Sequence, residues 1–184
     1  MEELINSANI LSDNGELTEA YKLYKECLEI EPDNIEVLCN IGDLLIKLKE
    51  DKAALNFLKK AHKLNPKDVY VLCNYGAALI GVHQYDESIR VLNLAIALNT
   101  THDIVYNNLG FAFHKKGNYY EALENYNISI GLNEDNPNAF SNRGSLMVDH
   151  FNDLAGGISD LKIAANLGDI EARMKLDQIL KIKS

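Results

Sequence analysis

The sequence predicts an all-α protein: an α-solenoid of about five tandem helix pairs followed by a C-terminal capping helix. Three observations carry that prediction. Asparagine returns every 34 residues, at Asn6, Asn40, Asn74, Asn108 and Asn142, and a period of that length marks a stacked repeat array. Apolar columns keep the same period, large at Leu4, Leu38, Leu72, Tyr106 and Phe140 and small at Ala8, Gly42, Gly76, Gly110 and Gly144. Within each period the apolar residues fall at spacings of three and four, which places them on one face of a helix.

Each repeat reads as two helices. In the third, the first helix is expected from about Tyr70 to His83, with Leu72, Tyr75, Gly76 and Leu79 on one face. The second is expected from about Asp86 to Leu98, with Ile89, Leu92, Ala95 and Ile96 on its apolar face. Small residues at Gly76 and Ala95 let the paired helices approach closely, and large ones there would overpack the contact. Gly15 and Gly117 fall in the turns between paired helices, where a positive φ suits glycine. Pro32 and Pro66 end the first two repeats because proline lacks an amide hydrogen; Thr100 and Glu134 take that place later. The repeat boundaries are 1–34, 35–68, 69–102, 103–136 and 137–168. The fifth carries one extra residue, placed in the turn around His150 to Asp153. Residues 169–182 form the capping helix, with Asp169 as its N-cap and Ala172, Leu176, Ile179 and Leu180 facing inward. All 184 residues thus form one solenoid domain.

The run Tyr106, Leu109-Gly110, Phe113, Gly117, Glu121-Ala122, Tyr126 resembles the tetratricopeptide repeat pattern. The resemblance extends over residues 1 to 168, although the chain has no tryptophan, which that pattern often carries. It implies a right-handed superhelix whose first helices line a concave wall, and a role in protein–protein interaction.

Composition narrows the function. Net charge is −9, and residues 1–34 hold nine acids against two lysines. An acidic surface repels phosphate backbones, so nucleic acid is excluded as a partner. The acidic first repeat reads as a solvated end cap, or as a docking patch for a basic partner. No run approaches the length of a membrane span, and Met1 to Asn9 has no leader-like apolar stretch. Three cysteines, an odd number, suit a reducing compartment, so the expected location is cytoplasmic.

Helical spacing places a second, exposed face beside the core stripe of each first helix. Its members include Cys39, Asn40, Asp43 and Ile46; Tyr70, Cys73, Asn74 and Ile80; Ile104, Asn107, Asn108, Phe111 and His114; and Asn6 and Asn142 at the ends. Exposed apolar residues on such a face mark a contact site. A primary amide both donates and accepts, so a column of asparagines is suited to hold the backbone of an extended peptide. The expected ligand is therefore a peptide segment or partner helix held in the groove. The alternative is a self-assembling scaffold, a homo-oligomer built through the first repeat or the capping helix. A chaperone-tail clamp fails on residue type: it needs lysine and arginine, whereas the corresponding positions hold Ile5, Asn9, Asn40, Tyr70 and Asn74. No catalytic, cofactor or metal-binding constellation is present, because the five histidines fall in different columns without acidic or thiol partners at ligand spacing.

Overall fold

The structure, a computed structural model, describes residues 1–98 and 101–182, with the side chain of residue 182 not described; Thr100 lies outside the described residues. It is all-helical, eleven helices among the described residues with no strand. The chain divides into two compact units, Met1–Leu98 and Asn99–Ser184.

The first unit holds α1 (Glu2–Asp13), α2 (Leu17–Ile30), α3 (Ile35–Lys47), α4 (Asp51–Leu64), α5 (Val69–Gly81) and α6 (Tyr85–Ala97). Each helix packs on the one that precedes it, and α3 also contacts α1 and α5. Short polar side chains start α3 and α5. Asn34 accepts from the Val37 amide at 3.0 Å, and Asp68 accepts from Tyr70 and Val71 at 2.8 and 3.1 Å. Each satisfies amide hydrogens that a helix N-terminus leaves unpaired.

Close approach within a pair depends on the small column. A Cβ added to Gly42 would lie 2.4 Å from Leu58 Cγ, and one on Gly76 would lie 2.6 Å from Leu92 Cδ2. The large second-helix column, Tyr24, Leu58 and Leu92, therefore fills the space over the small residues, and all three side chains are buried. Removing a leucine side chain from water in this way is worth about 1.5–3 kcal/mol.

The second unit holds α7 (Asp103–Lys116), α8 (Tyr119–Leu132), α9 (Pro137–His150), α10 (Leu154–Asn166) and α11 (Ile170–Ile182). Gly117 closes α7 with φ +83°. The extra residue lies in the α9–α10 turn, where Asn152 takes φ +53° and Asp153 caps α10 through the Gly156 amide at 2.9 Å.

The α9–α10 pair departs from the repeat chemistry. Arg143 occupies the column of Ile41, Tyr75 and Leu109, which are core residues. Its Nε and Nη2 donate to the two carboxylate oxygens of Asp160 at 2.6 and 2.9 Å, and Nη1 donates to Asn127 at 2.7 Å. Asp160 is only 5% exposed.

α11 covers the end of the α9–α10 pair. Asp169 caps it by accepting from the Ala172 amide at 2.9 Å. Ala172 is buried, and Leu176 and Ile179 pack on the cluster of Ile130, Phe140, Leu161 and Ala164. Leu180 departs from the expectation: it is 46% exposed, because the inward stripe of this helix ends at Ile179.

Candidate functional site

In the first unit the first helices α1, α3 and α5 meet at one cleft of about 450 Å³, which gathers the predicted site residues Asn40, Asp43 and Tyr70. Asn9 and Ser12 enter from α1, Asn40 and Asp43 from α3, and Tyr70 from α5. Asn40 Nδ2 donates to Asn9 Oδ1 at 3.0 Å, and the Tyr24 hydroxyl donates to the same oxygen at 2.5 Å. Both bonds use the carbonyl half of Asn9, and the first uses the amino half of Asn40. Among the described residues the other halves, one donor and one acceptor, are unengaged. Asn74 is half-buried on the neighbouring turn of α5, and its Nδ2 has no hydrogen-bond partner among the described residues.

The electrostatics of this cleft are acidic. Asp13, Glu36 and Asp43 line it with one ammonium group, Lys47. Lys47 lies 2.8 Å from Asp43, its i−4 neighbour. Burial pushes the Tyr24 hydroxyl up to about 12; the Asn40 hydrogen bond opposes that shift, and the charges of Asp13 and Asp43 reinforce it. Tyr70 is raised in the same direction, chiefly by burial of its hydroxyl, although the residue as a whole is 53% exposed. One end of the Tyr70 side chain is thus sheltered while much of its surface faces solvent.

In the second unit, Asn142 Nδ2 donates to Asn107 Oδ1 at 3.0 Å, joining α9 to α7. Ile104 is 54% exposed, and Asn108 and Phe111 are half-buried. His114 packs edge-on to Tyr119 and to His150, with ring centroids 5.9 and 5.3 Å away, while Tyr119 stacks on His150 at 3.8 Å. Burial lowers the His114 pKa, and the neighbouring His150 and Lys115 lower it further.

Several site expectations need correction. Cys39 is fully buried, and Cys73 and Asn107 are each 8% exposed. Each is covered by surrounding protein, Asn107 where α9 meets α7, so they are not part of an exposed face. Ile46 and Ile80 are half-buried, and Asn6 is exposed, away from the cleft-lining set. Spacing along a single helix marks the edge of the core stripe and does not reveal which edge its neighbour covers. Sequence reasoning also missed Tyr24, which comes from a second helix yet reaches the cleft, and Asp13, at the end of α1. Asp13 carried a signal in the acidic first repeat; Tyr24 carried none beyond its place in the large column.

Comparison with known proteins agrees with this architecture. A tetratricopeptide repeat model matches residues 11–72, and a second TPR repeat model matches residues 112–149. No curated protein matches the sequence. Among solved structures, a thermophilic TPR protein from Thermus thermophilus is similar, with TM-score 0.86 and 17% identity over 97% of this chain and 98% of that one. MamA from Desulfovibrio magneticus RS-1, residues 41 to the end, has TM-score 0.69 and 21% identity over 90% and 93%. YrrB, described as a TPR protein with an unusual peptide-binding site, has TM-score 0.63 and 20% identity over 95% and 90%.

Proposed function

The chain belongs to the tetratricopeptide repeat family, and from that premise we propose that its first unit holds an extended peptide segment or partner helix in the α1–α3–α5 cleft. The observation that carries this reading is the orientation of the Asn9 and Asn40 amides. Their mutual bond positions both side chains and leaves a donor and an acceptor unengaged, the pair that an extended backbone requires. Asn74, Asn108 and Asn142 continue the amide column in the later repeats. Tyr70 supplies an exposed apolar surface beside the amides, and Ile104 and Phe111 supply one in the second unit.

Magnitudes keep the affinity moderate. A neutral hydrogen bond nets about 1 kcal/mol, and association entropy offsets several such bonds. With an aromatic anchor, micromolar binding of about −8 kcal/mol is expected.

The test is affinity capture of partners from a cell lysate by the native chain and by an Asn40→Ala/Asn74→Ala variant, both changes lying in the first unit, with an unchanged helical circular-dichroism spectrum. Partners lost by the folded variant support the reading. Partners retained equally by both chains refute it.

A further inference from the structure

We infer that the segment held by the first unit is cationic, presenting an arginine or lysine side chain to the α1–α3 wall of the cleft; this rests on the peptide-binding reading above. Three carboxylates, Asp13, Glu36 and Asp43, line a cleft that has one ammonium group, and that group is already paired with Asp43 at 2.8 Å. The lining therefore keeps a negative excess that no residue of the cleft neutralises.

A divalent metal ion does not fit this excess. Among the described residues no three His, Cys, Asp or Glu side chains converge as ligands. The carboxylates are spread over two helices, Asp13 on α1 and Glu36 and Asp43 on α3, which suits a long organic cation with several donors. A guanidinium carries five N–H donors and no acceptor. The cleft offers it carboxylates, the unengaged carbonyl oxygen of Asn40, and the exposed side chain of Tyr70. Cations are also attracted to aromatic faces, and Tyr70 is 53% exposed. Local charge adds to this, since residues 1–34 hold nine acids against two lysines. A field of one sign over a concave site raises the local concentration of opposite charge and speeds encounter.

The experiment is selection from a phage-displayed library of short random peptides, run in parallel on the full chain and on an Asp13→Asn/Glu36→Gln variant. Both residues are exposed, and helical content is checked by circular dichroism. The expected result is enrichment of arginine and lysine by the native chain. The selected peptides should bind the variant about tenfold more weakly, the loss of one charge-assisted contact, and should weaken as salt is added. Enriched peptides without cations that bind both chains equally would overturn this inference and leave peptide binding standing. Cationic peptides that bind the variant undiminished would also overturn it, by placing their site elsewhere. No enrichment by either chain would overturn this inference and the peptide-binding reading together.

Discussion

Removing either partner of the Arg143–Asp160 pair tests whether the last helix pair is held by a buried ion pair where other repeats use apolar contacts. Asp160 is 5% exposed and accepts two hydrogen bonds from the guanidinium, while the Arg143 side chain is 21% exposed. Replacing Asp160 by leucine strands a mostly buried guanidinium, and replacing Arg143 by leucine strands a buried carboxylate. Each single change is expected to cost about 3–5 kcal/mol, because an uncompensated charge is left inside. At about 2–4 °C per kcal/mol for a chain of this size, a loss of about 3 kcal/mol lowers the melting temperature by about 6–12 °C. The double replacement removes both charges and restores the apolar chemistry of Ile41 and Tyr75 at the arginine position. It should therefore lie close to the native protein. Thermal unfolding by circular dichroism of the four chains closes a double-mutant cycle. Single losses below about 1 kcal/mol with no coupling would show that the pair behaves as a solvated surface bridge, and the argument from burial would be wrong.

Four further outcomes follow from other parts of the molecule. Gly76→Val places a branched side chain where a Cβ alone would sit 2.6 Å from Leu92; chemical denaturation should show a loss of about 1–3 kcal/mol. Gly131→Ala, at a helical site where an added Cβ meets nothing within 4 Å, should instead stabilise by about 0.5–1 kcal/mol. His62 and His114 both have pKa values lowered mainly by burial. The stability they contribute is present above the ordinary histidine value of 6.5 and is lost as pH falls through their folded values. The melting temperature should therefore drop between about pH 7.5 and about pH 5.5, and a His62→Phe/His114→Phe variant should flatten that slope. Cys27, Cys39 and Cys73 are all buried, with the Cys39 thiol pushed up to about 12 by burial. A thiol reagent at neutral pH should label them slowly in the native protein and rapidly after unfolding.

Helix placement was legible because it depends on local chemistry. The third-repeat helices, expected at about 70–83 and 86–98, lie at Val69–Gly81 and Tyr85–Ala97, and the positive φ of Gly15 and Gly117 matches the expected turns. Asp169 was readable as a cap for the same reason: a short acid before an apolar-periodic stretch has one favourable use. The candidate site was legible only in part. Asn40, Asp43 and Tyr70 reach the cleft, while Cys39, Cys73 and Asn107 are buried.

The sequence by itself determined the repeat, the helix pairs, the matching of a small first-helix column with a large second-helix column, and the capping helix. All of these follow from periodicity and side-chain size within about one repeat length. Only the tertiary structure decided which edge of each first helix its neighbour covers. It also decided that Asn40 bonds Asn9 and Asn142 bonds Asn107, that Tyr24 reaches the cleft from behind, and that Arg143 finds Asp160. Those outcomes depend on the angle and offset between successive helices, which are set by summed packing across whole faces. A one-dimensional period carries no record of them.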